Sequence, residues 1–281
     1  MKKIIKSLCV LLLFISISFM IACSTQELKF GKELVKVDGM VDILIELDSK
    51  TSDVGVMDSI MAGYYINEEY KGELMIIPDL ELANEKYGIA TRKDGAYTAK
   101  VISKAIIDLY KEGKVLEIAS KYGLEESLAI DENAVIDLSD ESGKADYDEI
   151  IESGKLVVGY TIFAPIAYED NNELVGFDID LAKAVCEKLG VKVKFQIINW
   201  GTKVFELESK AIDVIWNGMT ITDEIKANTS VTIPYLKNKQ VAVIRFEDKE
   251  KYKTTEDMKD AIICAELGSA GQLCVEKTKE E

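Results

Sequence analysis

The chain has 281 residues, of which 48% are hydrophobic and 30% charged, a composition typical of a soluble globular protein rather than a disordered one. Its formal net charge is −16 and it contains no histidine. Nucleic-acid binding needs clustered Lys and Arg, and Ser-His-Asp, Cys-His and imidazole–zinc sites need His, so the composition argues against all of them. The length allows one large domain or two lobes of ordinary size.

Residues 1–22 have the pattern of an export signal. Three lysines precede the apolar run of residues 8–21, which is shorter than the roughly 20 residues that a membrane-spanning helix needs. Its end, residues 20–23, resembles a lipoprotein lipobox, although Met20 departs from the usual Leu. This predicts a lipid anchor, including palmitate, on Cys23, and hence a protein on the extracytoplasmic face of the cell membrane. An ordinary secretory signal with an incidental Cys23 is the alternative.

Between residues 33 and 128, the spacing of apolar residues predicts strands that alternate with helices. Pro78 is expected to end one strand or to place it at a sheet edge, and Gly113 and Gly123 stand where helix C-terminal caps belong. The predicted strands are Glu33–Val37, Asp53–Met57, Leu74–Ile77 and Tyr87–Thr91, and the predicted helices include Val41–Leu47, a helix that opens at Ser59, and apolar stripes that start at Val101 and Val115.

Residues 129–147 are acidic, contain Ser, Asp and Gly, and show no clear hydrophobic period. This composition predicts a solvated linker.

The remainder of the chain has a strand–helix–strand pattern. No repeat of 20–50 residues is present, which disfavours a tandem array. Strands that alternate with helices predict an α/β protein with a largely parallel sheet. The predicted strands are Leu156–Tyr160, Val191–Ile197, Ile212–Trp216, Val241–Ile244 and the end of Asp260–Ala265, and the predicted helices are Asp180–Lys188 and Val204–Leu207.

Three cysteines, Cys186, Cys264 and Cys274, lie beyond the export signal and the predicted anchor. An odd number argues against a disulfide framework. Buried thiols are expected, with a Cys264–Cys274 bridge left open as the alternative.

Several motifs of the chain, taken together, resemble one known family in an unusual order. Residues 153–271 resemble the beginning of a family 3 extracellular solute-binding protein, a family that delivers polar amino acids to ABC importers, and residues 35–128 resemble the end of the same domain. Each element occurs once, which predicts a circular permutation. The motifs of the beginning are Ser153–Gly159, Val175–Leu181, Gly218–Thr222 and Gly268–Gly271, and those of the end are Thr51–Asp58 and Tyr87–Lys93.

The resemblance implies a two-lobed, type II periplasmic-binding-protein-like α/β fold with mostly parallel sheets, whose lobes are joined by two crossover strands and close on a ligand. Carried over, residues 148–241 form the N-terminal part of lobe 1 and residues 86–128 its C-terminal part, with 129–147 as the linker. Residues 254–281 form the first half of lobe 2 and residues 31–75 its second half.

The permutation predicts which segments meet in space. The strand around Val35 should lie in one sheet with Ile262–Ala265, and Cys274 should lie near residues 29–33. The permutation is tolerated where the old termini are close and the new cut lies on the surface. The alternative is a chain that completes itself by swapping segments between two copies.

Seven residues match the ligand-binding positions of the family. The resemblance implies that Asp58 binds the ligand ammonium, although an Asp before a helix is also a common N-cap. It implies that the aromatic side chains of Phe163 and Trp200 surround the ligand, with core packing as the alternative. It also implies that the loop residues Asn217, Gly218 and Thr220 form hydrogen bonds with the ligand. Ser269 is expected in a loop that offers amides and a hydroxyl to a carboxylate. The seven are Asp58, Phe163, Trp200, Asn217, Gly218, Thr220 and Ser269.

Ile225 departs from the family pattern. The family has an Arg there that clamps the ligand α-carboxylate. Arg92 and Arg245, the two arginines of the chain, follow strands and are expected at the lobe surface, while Lys226 should point elsewhere and lacks the guanidinium fork. With Asp58 kept and the clamp lost, the sequence favours a ligand with more positive than negative charge.

The sequence therefore favours a lipid-anchored receptor that captures a small polar or cationic amino acid or amine and presents it to the membrane subunits of an ABC importer. It predicts no cofactor, metal site or catalytic residue, since acid–base catalysis would need paired groups with perturbed pKa values. The alternatives are an enzyme related to the dehydratases or lytic proteins of this fold, a sensory ligand-binding module, and a truncated or domain-swapped remnant without transport function.

Overall fold

A nine-stranded mixed sheet runs through the computed structural model of the protein, which describes residues 27–277; the predicted signal and Cys23 lie outside this range. The strands are β1 (Glu33–Val37), β2 (Val54–Asp58), β3 (Leu74–Arg92), β4 (Lys155–Tyr160), β5 (Tyr168–Asp170), β6 (Glu173–Val175), β7 (Lys192–Ile197), β8 (Val214–Thr220), β9 (Thr229–Val231), β10 (Leu236–Arg245) and β11 (Ile262–Glu266). The helices are α1 (Met40–Asp48), α2 (Ser59–Glu68), α3 (Ala96–Lys111), α4 (Lys114–Lys121), α5 (Lys144–Ser153), α6 (Phe177–Leu189), α7 (Lys203–Glu208), α8 (Asp223–Asn228) and α9 (Ala270–Val275).

The sheet consists of two parallel halves joined by two long strands. Its order is β1-β11-β2-β10-β3-β8-β4-β7, with β9 also paired to β3, while β5 and β6 form a separate hairpin. The half with β4, β7 and β8, called lobe 1 below, is parallel, and so is the half with β1, β2 and β11, called lobe 2. Strands β3 and β10 pair antiparallel and extend from one half into the other. The predicted α/β class is confirmed.

The two ends of the described chain meet in lobe 2, as predicted. Val35 of β1 is in register with Cys264 of β11. The amide of Lys29 donates to the Val275 carbonyl at 2.7 Å, one residue after Cys274, and the Lys277 amide donates to the Glu27 carbonyl at 2.8 Å. The N-terminal and C-terminal segments therefore complete one sheet.

Strand β3 differs from the prediction of two separate strands around Pro78. The strand continues through Pro78, and its pairing with β10 shifts register between Val241 and Val243. Asp79 takes a positive φ of 60°. Proline has no amide hydrogen to donate, so the β3–β10 pairing becomes irregular around Pro78, but the strand does not end there.

Helix α5, the β5–β6 hairpin and β9 were not predicted. Helix α5 starts at Lys144, inside the segment predicted as a linker, while residues 129–143 contain neither helix nor strand. Only Asp146 and Ile150 are buried on α5, so its apolar face is too small to produce a visible stripe.

Cys186, Cys264 and Cys274 are free thiols, so the structure has no Cys264–Cys274 bridge. Burial raises the pKa of Cys186 and of Cys264 to about 12. Both thiols are therefore protonated and act as small apolar side chains. Within residues 27–277, no helix has the length and apolar character needed to cross a membrane.

Candidate functional site

A cleft of about 480 Å³ lies between the lobes, where β2, β8 and β11 end. This position follows a general rule of open α/β sheets, in which ligands bind outside the carboxyl ends of the strands. All seven residues predicted from the sequence line the cleft, and so do Ile225 and three charged residues that were not predicted as site residues, Lys203, Glu224 and Glu266.

Asp58 is the last residue of β2 and is buried at the base of the cleft. Its Oδ1 accepts hydrogen bonds from the Tyr87 hydroxyl at 2.6 Å, from Gln240 Nε2 at 2.9 Å and from Asn238 Nδ2. Among the described residues its other oxygen, Oδ2, accepts none. One oxygen is therefore fixed by three donors, and the other has none among these residues.

The alternative role of Asp58, as the side-chain cap of α2, is not what the structure shows. Asp58 precedes α2 but makes no side-chain capping bond. Asn238 of β10 fulfils that role, since its Oδ1 accepts from the Ser59 hydroxyl at 2.9 Å and from the Ile60 amide at 3.3 Å. The Asp58 carboxylate is thus not needed to begin the helix.

Two carboxylates share the amide groups behind the cleft. Glu85 Oε1 accepts from Asn238 Nδ2 at 2.5 Å and from Gln240 Nε2 at 2.9 Å, the same nitrogens that reach Asp58. Burial, and then the charge of Glu85, raise the pKa of Asp58 well above its usual value. A cation in the cleft would lower the pKa of Asp58 again, because it favours the ionised carboxylate.

Phe163 and Gly218 form a tight contact on the lobe 1 side. Phe163 is buried and its ring packs edge-to-face on Tyr87, with 6.4 Å between the ring centroids. Gly218 has a φ of 58°, and a Cβ there would come within 2.5 Å of Phe163 Cε1. Any larger residue at position 218 would displace the aromatic wall.

Trp200 follows β7 in lobe 1, lines the cleft and already has a cation against it. The Lys203 ammonium is 4.7 Å from the centroid of the Trp200 ring. The Trp200 side chain is buried but lines the cleft, so it contributes both to packing and to the cleft wall.

Asn217 and Asp178 form the side-chain hydrogen bonds at the end of β8. Asn217 Nδ2 donates to the Thr161 hydroxyl at 2.8 Å, while its buried Oδ1 has no partner among the described residues. Asp178 Oδ2 accepts from the Gly218 amide at 2.8 Å and from the Tyr235 hydroxyl at 2.7 Å. Burial raises the pKa of Asp178 to about 7.

Thr220 and Ser269 complete the predicted set. Thr220 ends β8 and lines the cleft half-buried. Ser269 is buried, and its Oγ accepts from the Gln272 amide at 3.2 Å, as an N-cap of α9. The hydroxyl hydrogen of Ser269 remains available, but two amides near it, those of Gly268 and Gln272, bond within the loop.

Ile225 lines the cleft, and neither arginine lies there. The prediction that both arginines lie at the surface is wrong for Arg92, which is buried and pairs with Asp146 and Asp213. Its partners are distant in sequence, so the pattern around Arg92 gave no sign of them. Arg245 donates to main-chain carbonyls and to Asp248.

Lys203 and Glu266, like Glu224, line the cleft without having been predicted from the sequence. Burial lowers the pKa of Lys203 to about 8 and raises the pKa of Glu266 to about 8, while each group's charge counteracts the shift of the other. Glu266 ends the buried strand β11 just as Asp58 ends β2, and this shared pattern was the available signal.

The lobes touch at the Lys203 end of the cleft. Gly268, with a φ of 74°, packs so closely that a Cβ on it would lie 3.1 Å from Gly201 Cα. Lys203 spans the same contact, because its ammonium donates to the Gly268 carbonyl at 2.8 Å and to the Trp200 carbonyl at 3.1 Å.

Residues 156–273 match the family model of bacterial extracellular solute-binding proteins, family 3. This match covers 118 of the 281 residues, which is less than half of the chain. It includes six of the seven predicted site residues; Asp58 lies outside it.

The chain is similar to proteins whose names describe them as amino-acid-binding. The ABC transporter arginine-binding protein 1 of Escherichia coli (strain K12) is 35% identical over 111 residues, which are 40% of this chain and 44% of the relative. The arginine-bound form of domain 1 from TmArgBP is 36% identical with a TM-score of 0.31, and the match covers 37% of this chain and 89% of that one. The chain spans about half the length of the curated relatives it matches.

One relative is an enzyme. Cyclohexadienyl dehydratase of Pseudomonas aeruginosa is 25% identical over 126 residues, which are 44% of this chain and 47% of the relative. The first relatives in order of similarity are named as binding proteins.

Proposed function

We propose that the protein is an extracytoplasmic receptor that captures a small amino acid or amine of net positive charge and presents it to an ABC importer. One observation carries this proposal: Asp58, at the base of an interlobe cleft, has Oδ1 held by three donors, while Oδ2 has no hydrogen-bond partner within residues 27–277. A ligand ammonium at Oδ2 would form a charge-assisted hydrogen bond in a site shielded from water.

The acidic side chains of the cleft support a cationic ligand, because a bound cation favours their ionised forms. Asp58, Glu224 and Glu266 line it, against Lys203 as the one basic side chain among the described lining residues. The buried Asn217 Oδ1, which lacks a partner among those residues, is a further acceptor for an ammonium. The names of relatives that bind arginine point in the same direction.

Closure of the lobes is the conformational step in this proposal. β3 and β10 connect the lobes, and ligand contacts are drawn from both: Asp58 and Ser269 from lobe 2, Phe163 and Asn217 from lobe 1. A ligand that binds both lobes favours the closed form over the open one, which is the hinge mechanism of two-lobed receptors.

The test is a thermal-shift screen followed by calorimetry on the mature chain. L-arginine, L-lysine and putrescine are expected to raise the unfolding temperature by mass action, and L-glutamate is not. Binding at 100 times the Kd stabilises by about 2.7 kcal/mol, which is readily measured. Stabilisation by L-glutamate alone, or by no amino acid or amine, would overturn the proposal.

We also propose that Cys23 carries the lipid that holds the receptor at the membrane. The proposal rests on the lipobox-like residues 20–23 and their position after an apolar run. Metabolic labelling with an alkyne fatty acid is expected to label the wild type and Cys9→Ala, but not Cys23→Ala. Label on Cys23→Ala, or a released wild-type protein without label, would contradict it.

The domain order is proposed to be a circular permutation, with lobe 1 built from 148–241 and 86–128 and lobe 2 from 254–281 and 31–75. The support is the parallel pairing of β1 with β11 and the contact between Glu27 and Lys277. A rearranged chain that runs from Gly143 to Lys277, then through a short linker into Glu27 and on to Ser142, should fold as a monomer with unchanged affinity. A wild-type mass of two chains, with a rearranged chain that does not bind, would favour the swapped dimer.

A further inference from the structure

Lys203 is a buried cation that the function proposed above does not use. It opens α7, and its side chain lines the cleft while remaining almost inaccessible to solvent. Two of the three hydrogens on its ammonium are directed to the carbonyls of Trp200 and Gly268. The positions of these carbonyls fix the ammonium at one end of the cleft.

Among the described residues, Lys203 forms no ion pair. Its ammonium donates to two neutral carbonyls and lies over the Trp200 ring, and no carboxylate is among its contacts. Burial lowers the pKa of Lys203, and the more distant charges of Glu266 and Glu224 raise it. A desolvated cation without a paired anion is costly, so structural lysines are rarely placed this way.

Lys203 lies next to residues that pack with Ile225, the position where the sequence resemblance implies an Arg. Ile225 and Trp200 belong to one apolar cluster, and Val204 packs against it. Glu224 is the neighbour of Ile225 on α8, and its charge acts on Lys203. Ile225 and Lys203 both line the cleft from lobe 1. Lys203 therefore supplies a positive charge on the lobe 1 side of the cleft, where position 225 has Ile instead of the family's Arg.

We propose that Lys203 binds the carboxylate of the ligand and so determines that the receptor takes an amino acid rather than a bare amine. This inference rests on the proposed function. The third ammonium hydrogen of Lys203 would donate to the carboxylate, while Asp58 holds the α-ammonium and Glu266 or Glu224 faces a second cationic group. The ligand class that fits is an amino acid with a cationic side chain.

This proposal changes the expectation drawn from Ile225 alone. Without a clamp, a ligand lacking its α-carboxylate would bind as well as the amino acid. With Lys203 in the cleft, the amino acid should bind more tightly than its amide, and the amide and the decarboxylated amine should be similar.

The experiment measures L-arginine, L-argininamide and agmatine by calorimetry on the wild type, Lys203→Met and Lys203→Arg. Met keeps the length of the side chain and removes the charge, and Arg keeps the charge. Lys210→Met is the matched control, because Lys210 is exposed and pairs with Glu149 outside the cleft. Loss of a charge-assisted hydrogen bond predicts about a 10- to 100-fold weaker affinity of Lys203→Met for L-arginine, with little change for agmatine.

The possible results distinguish a failure of the Lys203 proposal from a failure of the proposed receptor function. Selective loss for L-arginine in Lys203→Met, with recovery in Lys203→Arg, supports the carboxylate role. An equal loss for all three ligands would identify Lys203 as a residue that only holds the lobes together, and would overturn the inference while the receptor function stands. If none of the three ligands binds the wild type, the proposed function fails and the inference fails with it.

Discussion

The hydroxyl of Tyr87, on a strand that joins the lobes, donates a hydrogen bond of 2.6 Å to Oδ1 of Asp58. Tyr87 is fully buried and lies in register with Thr220 of β8, so it connects the base of the cleft to the strand that supplies three other site residues. The connection orients the Asp58 carboxylate before any ligand arrives. Such preorganisation lowers the cost of ordering the site on binding.

Asp58→Asn is expected to weaken ligand binding by about 2–5 kcal/mol, because it removes a desolvated charge partner. The substitution keeps an oxygen for the three donors at Oδ1 but places an amide where Oδ2 would meet the ammonium. Calorimetry with L-arginine provides the measurement. Unchanged affinity would end this assignment.

Tyr87→Phe is the matched control for Asp58→Asn. It removes one donor to Asp58 but leaves the carboxylate charge, so the loss of affinity should be clearly smaller than in Asp58→Asn. Both ligand-free variants should unfold cooperatively near the wild-type temperature, since neither removes buried apolar volume.

The stability of the ligand-free protein should fall as the pH rises from about 4 to 8. Burial raises the pKa of Asp178 from 3.8 to about 7, so between these values the folded state holds a proton that the unfolded state has released. The stabilisation is complete below the unfolded pKa and is lost as the pH rises through the folded one. Glu266, with a pKa raised to about 8, acts in the same direction.

Asp178→Asn should flatten this pH dependence. Asn keeps an acceptor for the Gly218 amide and the Tyr235 hydroxyl but cannot titrate. One titrating group contributes at most about 1.4 kcal/mol per pH unit. Urea unfolding of both proteins at several pH values measures the slopes, and identical slopes would show that Asp178 ionises normally in the folded state.

Arg92 should be the most important charged side chain for stability. It is buried, pairs with Asp146 of α5 and Asp213, and donates to the Ile212 carbonyl at 2.8 Å. Arg92→Met leaves two carboxylates without their cation and should cost about 3–5 kcal/mol in urea unfolding. Lys104→Met, which breaks an exposed pair with Asp108, should cost less than about 1 kcal/mol. Equal effects would show that the Arg92 network contributes no more than a surface pair.

The sequence predicted most of the strands because buried strands carry continuous or alternating apolar residues. It also identified seven residues that line one cleft, because they lie at strand ends and in loops that the family resemblance covers. It did not predict the surroundings of Arg92, because Asp146 and Asp213 are far from it along the chain. Nor did it indicate Lys203, because a single lysine at the start of a short helix has the same pattern whether buried or exposed.

Restoring the family's Arg offers a last prediction. In the wild type, Ile225→Arg should change the preference for an α-carboxylate only slightly, because Lys203 already provides a cation. In the Lys203→Met background, Ile225→Arg should restore the preference for L-arginine over L-argininamide and agmatine, since a guanidinium binds a carboxylate with two parallel hydrogen bonds.

The double variant is compared with Lys203→Met alone by competition calorimetry. Lys226→Arg is the control, because it places the same side chain on α8 at an exposed position where Lys226 pairs with Asp223. Recovery in Lys203→Met with Ile225→Arg, but not in Lys203→Met with Lys226→Arg, would show that positions 203 and 225 serve the same carboxylate. A wild type that binds agmatine as tightly as L-arginine would instead support the expectation from Ile225 alone, that the receptor needs no carboxylate on its ligand.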